Sequence, residues 1–147
     1  MAEINIRKMT IEDLELISPI LSSEFDDFWN IENLKSELTN TNSYCYIAEL
    51  ENNIVGFASL WHVIDTVHLN DIVVRKKYRN LGIGSIFLEH LINISSKIEG
   101  VTSITLEVSN KNLPAQKLYL KYGFKELGIR KNYYSQNENA IIMTKYF

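Results

Sequence analysis

Two glycines and four basic residues stand together in the stretch "VVRKKYRNLGIGSIF", residues 73–87. Gly82 and Gly84 lie where a helix is expected to begin, shortly after an apolar strand. Glycine has no Cβ, so a ligand can come close to the backbone there. The first N–H groups of a helix have no intrahelical acceptor and can bind an anion such as a phosphate. The stretch therefore indicates an anion site; the alternative is an ordinary helix start with solvated charges.

Two nucleotide-binding glycine loops do not fit this stretch. A P-loop requires lysine and then serine or threonine after its last glycine, whereas Gly84 is followed by Ser85 and Ile86. A dinucleotide-binding loop requires a third glycine or an alanine at the position of Phe87, in a turn that follows the strand directly. Here the basic run at residues 75–79 separates the strand from the glycines. An anion at this turn must therefore be held by a different kind of loop.

A carboxylate and a phenol further along the chain have the chemistry for proton transfer. In the strand-like segment "SITLEVS", Glu107 alternates with the apolar residues Leu106 and Val108 and so lies on the other face of the strand. A glutamate inside an apolar strand is uncommon unless it is paired. Glu107 is therefore either a salt-bridged or solvent-facing residue or a base. Tyr119 on the following helix is either a core aromatic or a proton donor, because a phenol is protonated at neutral pH.

The hydrophobic pattern predicts the elements that position these residues. Strands are expected at residues 4–9, 43–50, 54–63, 67–74, 103–109, 124–130 and 140–147, with a hairpin at 51–53. Helices are expected from Thr10, through an approximate capping box with Asp13, and at residues 31–38, 82–98 and 114–122. This order predicts one α/β (α+β) domain over residues 1–147, a mixed, mostly antiparallel sheet of about six to seven strands flanked by about four helices.

Bulk properties exclude several classes of protein. The 147 residues are 46% hydrophobic and 22% charged, which is typical of a globular domain. The formal net charge of −3 argues against nucleic-acid binding by bulk charge. Cys45 is the only cysteine, so there is no intrachain disulfide and no cysteine-based zinc site, and no metal-ligand spacing occurs. Without a signal core or an apolar run of membrane-spanning length, we expect a cytoplasmic protein that binds neither membrane nor metal.

Two segments together resemble the GNAT superfamily of N-acetyltransferases. The pattern arginine–x–x–glycine–x–glycine between a strand and a helix is similar to the loop of that superfamily that binds the pyrophosphate of acetyl-CoA. The segment "EVSNKNLPAQKLYLKYGF" resembles a second superfamily signature at Glu107, Asn112, Ala115, Leu118, Tyr119, Gly123 and Phe124. Two signatures in the right order and spacing are far more specific than one glycine turn. The resemblance covers residues 71–124 strongly, and it implies the GNAT fold in a single domain.

The resemblance implies acetyl-CoA as donor and CoA as product. It places backbone N–H groups of the glycine loop on the pyrophosphate, the strand edge at residues 72–74 along the pantetheine, and Asn112 on the pantetheine arm. A backbone N–H of Val73 or Val74 is expected to polarise the thioester carbonyl. The residues assigned in this way to acetyl-CoA are Ile72, Val73, Val74, Arg79, Asn80, Leu81, Gly82, Ile83, Gly84, Ser85, Asn112, Ala115 and Tyr119.

The same resemblance implies catalytic roles for the carboxylate and the phenol. In the bacterial RimI-type ribosomal-protein-alanine N-acetyltransferases, a glutamate matching Glu107 acts as base and a tyrosine matching Tyr119 acts as acid. Aminolysis of a thioester needs a neutral amine, so an acceptor for the amine proton is required. Cys45 lies in an apolar strand and is expected to be a buried small hydrophobe. We therefore expect direct transfer without an acetyl-enzyme.

The tail "RKNYYSQNENAIIM" narrows the resemblance to the RimI type and its archaeal and eukaryotic relatives. The matching residues are Arg130, Tyr133, Tyr134, Ala140 and Met143. The resemblance implies a groove for a protein N-terminus, lined by Trp29, Glu107 and a tyrosine pair at the connection of the last two strands. Alternatively, the two tyrosines are half-exposed hairpin aromatics. The implied acceptor is the α-amino group of a ribosomal protein of the small subunit that begins with alanine.

Departures from the RimI pattern concern the acceptor. The usual Glu-Asp before Ala140 is Glu138-Asn139 here, and the segment around Trp29 lacks the usual proline and serine. Two alternatives therefore stay open: a GNAT enzyme that acetylates another amine (a lysine side chain, a polyamine or a small molecule), and a non-catalytic acyl-CoA-binding module. We expect a monomer or a weak dimer.

Overall fold

A computed structural model describes residues 3–25 and 30–147 of the protein. Within these residues the chain forms seven strands: β1 (Asn5–Lys8), β2 (Ser43–Leu50), β3 (Asn53–Val63), β4 (Thr66–Val74), β5 (Ser103–Ser109), β6 (Lys125–Ser135) and β7 (Glu138–Tyr146). The same residues form five α-helices: α1 (Ile11–Ile17), α2 (Leu21–Glu24), α3 (Ile31–Thr39), α4 (Ile83–Ser96) and α5 (Leu113–Lys121). Among them, no helix is long and apolar enough to cross a membrane.

The first predicted helix is interrupted. The predicted capping box is present, because the Thr10 N–H donates to Asp13 Oδ2 at 2.7 Å. After α1 the chain forms a 3₁₀ turn over Ser18–Ile20 and then the single turn of α2. Pro19 lies in that 3₁₀ turn and has no N–H to continue the helical ladder. Pro19 therefore explains why the first predicted helix is interrupted.

The seven strands form one sheet in the order β1-β2-β3-β4-β5-β7-β6. Every neighbouring pair is antiparallel except β4 and β5, which run parallel. The parallel pair needs a crossover, and α4 supplies it. The β2–β3 hairpin closes through Glu51 and Asn52, both with positive φ, at 50° and 67°. The predicted mixed, mostly antiparallel α/β sheet is thereby confirmed.

Two apolar cores lie on opposite faces of the sheet. The core under α4 and α5 contains Val55, Leu60, Leu69, Ile83, Phe87, Leu91, Ile104, Leu106 and Val108, among others. The core under α1, α2 and α3 contains Leu14, Ile17, Leu21, Phe25, Leu34, Cys45, Ile47, Phe57 and Val73, among others. Cys45 is buried, as predicted. Because side chains alternate between faces along a strand, membership of one core tells which layer of helices a strand residue faces.

A β-bulge in β4 changes the direction of that strand. In the pairing of β3 with β4, Ser59 lies opposite Asp71, but the next residue, Leu60, lies opposite Leu69. Asn70 is the extra residue. A bulged strand bends and twists more strongly than a regular one. The bend lies at the position where β4 loses its second neighbour.

Strands β4 and β5 pair over only part of their lengths. Their parallel pairing joins residues 66–69 to residues 103–106 and ends there. From Asn70 onward β4 stays paired with β3, while β5 stays paired with β7. The central sheet therefore opens between β4 and β5, directly beyond the bulge. A ligand in this opening can therefore contact side chains from both faces of the sheet.

Candidate active site

A cleft of about 640 Å³ occupies the opening between β4 and β5. Its volume is in the range of about 300–1,000 Å³ found for small-molecule sites. Six residues predicted for the site line this cleft: Ile72, Glu107, Asn112, Ala115, Tyr119 and Tyr134. These residues come from three strands and from the start and middle of α5. The fold thus brings together residues that are up to 62 positions apart in the sequence (134 − 72).

The edge of β4 offers backbone groups to the cleft. The Arg75 N–H donates to the Val55 carbonyl at 2.7 Å, so it faces β3. Backbone groups alternate along an antiparallel pair, and the Val73 N–H therefore also faces β3. The N–H groups of Ile72 and Val74 face the other way, toward the opening. Of the two N–H groups considered for a thioester carbonyl, this alternation favours Val74.

Glu107 enters the cleft from the α1–α3 face of the sheet. Its neighbours Leu106 and Val108 are buried in the core under α4 and α5, so Glu107 points to the opposite face. Glu107 Oε1 lies 3.5 Å from Nη2 of Arg130, a side chain that is 55% exposed. Glu107 Oε2 is buried and makes no hydrogen bond with any residue the structure describes. This carboxylate has a loose ionic partner on one oxygen and an open acceptor position on the other.

Tyr119 enters the cleft from the opposite face, on α5. Asn112 caps this helix, its Oδ1 accepting from the Ala115 N–H at 3.2 Å. The Tyr119 ring packs edge-on against Phe124, with ring centroids 5.7 Å apart. Burial, with a smaller contribution from the Asp71 carboxylate, raises the pKa of Tyr119 to about 12. The phenol therefore stays protonated at neutral pH.

The tyrosine pair lies inside β6, not at the connection of the last two strands as predicted. The β6–β7 turn is only two residues long, with Asn137 at a φ of 65°, so both strands extend to the turn. The rings of Tyr133 and Tyr134 meet edge to face at a centroid distance of 5.1 Å. Tyr134 lines the cleft, whereas Tyr133 lies beside Arg130, whose guanidinium carbon is 5.5 Å from its ring centroid.

A chain of asparagines fixes this hairpin. Asn132 Oδ1 accepts from the Asn137 N–H at 2.8 Å, and the Asn132 N–H donates to Asn139 Oδ1 at 2.9 Å. The Asn139 N–H in turn donates to Asn110 Oδ1 at 3.0 Å. Asn139 is one of the departures from the RimI pattern. In this protein it ties the tyrosine-bearing hairpin to the loop that follows β5.

The glycine loop lies beyond the cleft, at the end of β4. Gly82 precedes α4 with a φ of 81°, and no atom lies within 4 Å of the position a Cβ would take. A Cβ on Gly84 would lie 3.7 Å from Val74 Cγ2, so the start of α4 sits beside the strand end. Arg79 Nε donates to the Val74 carbonyl at 2.8 Å. The loop thus lies beside the end of β4.

Part of the basic run before the glycines faces α2. Arg75 forms an ion pair with Glu24, and Lys77 Nζ lies 3.8 Å from the same carboxylate. The pairing lowers the pKa of Glu24, chiefly through its hydrogen bond with Arg75. The sequence alone predicts four cations at this junction. Glu24 offsets part of the positive charge of Arg75 and Lys77.

Some predicted site residues do not line the cleft. Trp29 lies outside the described residues. The side chains of Val73 and Ile83 are buried in the two cores, so these residues can offer only backbone groups. Sequence reasoning also missed two carboxylates that line the cleft, Asp71 and Glu138. The polar pair "ND" inside the apolar strand "VHLNDIVV" was the signal for the first of them.

Comparison with known proteins decides the family. The model of the acetyltransferase (GNAT) family matches residues 14–124. This chain belongs to the GNAT family. Enzymes of the family use acetyl-CoA, and acetyl-CoA is bound in the structure of a GNAT acetyltransferase from Elizabethkingia anophelis. That structure shares the fold at a TM-score of 0.75 and 24% identity, covering 98% of both chains.

Two GNAT relatives are more similar in sequence. The ribosomal protein bS18-alanine N-acetyltransferase of Haemophilus influenzae is 35% identical, with 90% of this chain and 99% of the relative covered. The crystal structure of the ribosomal-protein-S18-alanine N-acetyltransferase from Escherichia coli superposes at a TM-score of 0.87 and 30% identity, covering 98% of this chain and 94% of that one. The predicted resemblance to RimI-type enzymes is confirmed, and this GNAT protein is an N-acetyltransferase.

Proposed function

We propose that this enzyme transfers the acetyl group of acetyl-CoA to the N-terminal α-amino group of a ribosomal protein that begins with alanine. The observation that carries the proposal is the placement of Glu107 and Tyr119, which enter one cleft from opposite faces of the sheet. A base on one side and an acid on the other meet the needs of thioester aminolysis. The acceptor is supported by the near full-length similarity to enzymes named for acetylating an N-terminal alanine.

The donor binds along the exposed edge of β4. The Val74 N–H polarises the thioester carbonyl, and Ile72 with Asn112 and Ala115 contacts the pantetheine arm. The backbone N–H groups at the start of α4 bind the pyrophosphate, where the open space at Gly82 leaves room for it. Acetyl-CoA supplies the thioester carbon, which forms a C–N bond with the acceptor as its C–S bond breaks. The residues present fit this ligand, because β4 borders the cleft and the glycine loop lies at the end of that strand.

The acceptor amine approaches from the α1–α3 face, where Glu107 and Tyr134 lie. Glu107 Oε2 accepts the amine proton directly or through water, since no described residue occupies it. An α-amino group, with a pKa of about 8, gives up this proton more readily than a lysine amine, with a pKa of about 10.4. A carboxylate base is therefore better matched to an α-amine. The Tyr133–Tyr134 pair forms the wall along which the first residues of the acceptor lie.

Tyr119 serves the leaving sulfur on the other face. Its phenol is protonated at neutral pH, because burial raises its pKa to about 12. It donates a hydrogen bond to the sulfur as negative charge develops there, and its proton ends on the CoA thiol. The phenol recovers a proton from solvent, and Glu107 releases the amine proton to solvent. The enzyme is then ready for the next turnover.

A peptide with an N-terminal alanine and one internal lysine tests the proposal. After incubation with enzyme and acetyl-CoA, tandem mass spectrometry should place the acetyl group on the α-amine, and a copy with a blocked α-amine should stay unmodified. Modification confined to lysine, or to a polyamine offered in parallel, would contradict the proposal in favour of another amine acetyltransferase. Acetyl-CoA binding without acetylation of any of these amines would instead support the acyl-CoA-binding module.

The donor site has a matched control within the chain. Gly82 and Gly100 have φ values of 81° and 82°, and a Cβ on either would meet nothing within 4 Å. Substituting either by aspartate adds the same charge and the same backbone strain. Gly82→Asp should weaken acetyl-CoA binding measured by calorimetry by about tenfold or more, since it sets an anion against the pyrophosphate, whereas Gly100→Asp should not. Equal affinities in the two folded variants would contradict the placement of the pyrophosphate.

A further inference from the structure

The cleft has a second carboxylate on the acceptor side. Asp71 follows the bulge residue in β4 and lines the cleft. The next residue, Ile72, packs on the core under α4 and α5, and Val73, two residues after Asp71, lies in the core under α1, α2 and α3. Asp71 therefore faces the α1–α3 side, as Glu107 does. The two carboxylates stand on the two strands that part, on the same face of the sheet.

The fold brings Asp71 together with the reacting groups, since Asp71, Glu107, Tyr119 and Tyr134 all line the cleft. The Asp71 carboxylate contributes, after burial, to the raised pKa of Tyr119 and also contributes to the raised pKa of Tyr134. Glu107 contributes to the raised pKa of Tyr134 as well, where burial is again the largest cause. The two carboxylates and the two phenols thus share one small space. A ligand bound between the two carboxylates can therefore contact Asp71 on β4 and Glu107 on β5 at the same time.

The charge of the cleft is negative. Among the described residues that line it there are three carboxylates, Asp71, Glu107 and Glu138, and no lysine or arginine. Glu138 accepts from the hydroxyls of Ser109 at 2.6 Å and Ser135 at 3.2 Å, and these bonds lower its pKa, so it stays ionised. Arg130 approaches Glu107 from outside the lining. Asp71 therefore adds a second negative charge beside Glu107 on the acceptor face of the cleft.

We propose that Asp71 binds the acceptor amine in its protonated form and delivers it to Glu107. An amine reaches the enzyme largely as an ammonium group, which carries three N–H donors and one positive charge. Asp71 accepts a hydrogen bond from one N–H of this group, and a second N–H points to Glu107 Oε2. Transfer of the second proton to Glu107 leaves a neutral nitrogen, whose electron pair is free to attack. Asp71 therefore determines acceptor affinity, and Glu107 determines turnover.

This division deepens the proposed function and rests on an amine acceptor. Its test uses two inhibitory peptides of identical sequence that cannot be acetylated productively. One carries an N-terminal dimethylated amine, which is cationic at neutral pH, and the other carries a hydroxyl in place of that amine. Their inhibition constants are measured for the wild-type enzyme, for Asp71→Asn and for Asp65→Asn. Asp65 is an exposed residue in the turn that precedes β4, so its substitution removes the same charge at the far end of the strand.

The wild-type enzyme should bind the cationic peptide about tenfold or more tightly than the neutral one, as expected for a partly buried charge-assisted hydrogen bond. Asp71→Asn should bring the two constants close together, and should raise the KM of the acetylated peptide with little change in kcat or in the KM of acetyl-CoA. Asp65→Asn should retain the wild-type preference. A structural role for Asp71 would instead lower kcat and thermal stability without changing the ratio of the two constants.

An unchanged preference in a folded Asp71→Asn variant would overturn the inference, and so would a wild-type enzyme without preference for the cation. These outcomes differ from failure of the proposed function, which would appear as a wild-type enzyme that leaves every peptide α-amine unmodified. In that case the same pair of variants is tested with the amine that the enzyme does acetylate. A loss of acceptor affinity confined to Asp71→Asn supports the inference there too.

Discussion

Two carboxylates, one in the first helix and one in the cleft, differ in how fully they are hydrogen-bonded. Asp13, at the start of α1, accepts from Arg7 on both oxygens, at 2.7 and 2.8 Å, and from the Thr10 N–H at 2.7 Å. Its partner Arg7 also bonds Glu49. Glu107 in the cleft has one cation at 3.5 Å and a buried Oε2 without a hydrogen bond among the described residues. The first carboxylate stabilises the fold, and the second has an acceptor position left for a substrate.

The physical reason for this difference lies in the strands beneath. Arg7 stands on β1, whose four residues all pair with β2, so the backbone holds the guanidinium beside Asp13. Glu107 stands one residue beyond the last pair of β4 with β5, where the sheet opens. Where a strand is paired along its whole length, its polar side chains can keep permanent partners. An opening in the sheet leaves room for a ligand instead.

The largest effect is expected for Glu107→Gln, which keeps the shape and removes the base. We expect kcat to fall about 100-fold or more, the usual contribution of a general base, with acetyl-CoA affinity and thermal stability nearly unchanged. Steady-state kinetics, calorimetry and thermal unfolding measure the three quantities. Unchanged turnover would remove Glu107 from its assigned role.

Asp13→Asn is the matched change at the bonded carboxylate, and its effect should be on stability. The new amide N–H₂ would face the donors of Arg7 and Thr10, so the free energy of unfolding should fall by about 2 kcal/mol, the order of lost hydrogen bonds to a charged group. Turnover of the folded enzyme should not change. Chemical denaturation at neutral pH checks the first point, and a loss of kcat as large as that of Glu107→Gln would break the comparison.

The contribution of Asp13 to stability should depend on pH. The hydrogen bond with Arg7 is the largest cause that lowers the pKa of Asp13 below its ordinary 3.8, so its contribution to stability is complete above that value. It is lost as the pH falls through the lowered pKa of the folded state. The difference in unfolding free energy between wild type and Asp13→Asn should therefore shrink as the pH falls below about 4. A difference that stays constant down to pH 2 would contradict the assigned ion pair.

Tyr119→Phe is expected to have a smaller effect on turnover. Removing the hydroxyl should lower kcat about tenfold, toward the lower end for proton donors, because the thiolate is already a good leaving group. Since the pKa of Tyr119 is raised to about 12, its ionisation should not cause a fall in kcat between pH 8 and 10. A pH profile with a descending limb near 9 that disappears in Tyr119→Phe would show that the phenol ionises much earlier.

The smallest effect is expected for Arg130→Met. Its side chain is 55% exposed and its distance to Glu107 is 3.5 Å, so the ion pair is screened by solvent. We expect the free energy of unfolding to change by about 0.5 kcal/mol or less. A change of several times this size in thermal or chemical denaturation would show that Glu107 is held as firmly as Asp13, and the contrast between the two carboxylates would disappear.

Much of the fold could be predicted from local sequence signals. The chain order of strands and helices follows from apolar periodicity, the β2–β3 hairpin from its "ENN" turn, and the start of α1 from the capping box of Thr10 and Asp13. The length of β6 could not be predicted, because "RKNYYSQNEN" is polar and lacks the alternation of apolar and polar residues that is typical of a strand. Its extension depends on asparagine side chains that bond across the hairpin, such as Asn132 with Asn137.

The candidate site was predicted only in part, for a similar reason. The types and spacing of Glu107 and Tyr119 indicated their chemistry, and the fold brings both to one cleft. The opening itself depends on a one-residue bulge at Asn70 and on the divergence of two strands that are about 30 residues apart in the chain. No local pattern encodes that divergence. The role of Arg75 was equally hidden, because its partner Glu24 is 51 positions away.

The most direct test of the account is a crystal structure with a conjugate that joins CoA to an alanine-first peptide through an acetyl bridge. We expect the bridged nitrogen within about 3 Å of a Glu107 oxygen or of one water bound to it, and the sulfur at a similar distance from the Tyr119 hydroxyl. The peptide should leave the cleft along Tyr134 on the α1–α3 face, and the pyrophosphate should lie at Gly82. A conjugate that places its nitrogen on the α4–α5 face, away from Glu107, would contradict the account.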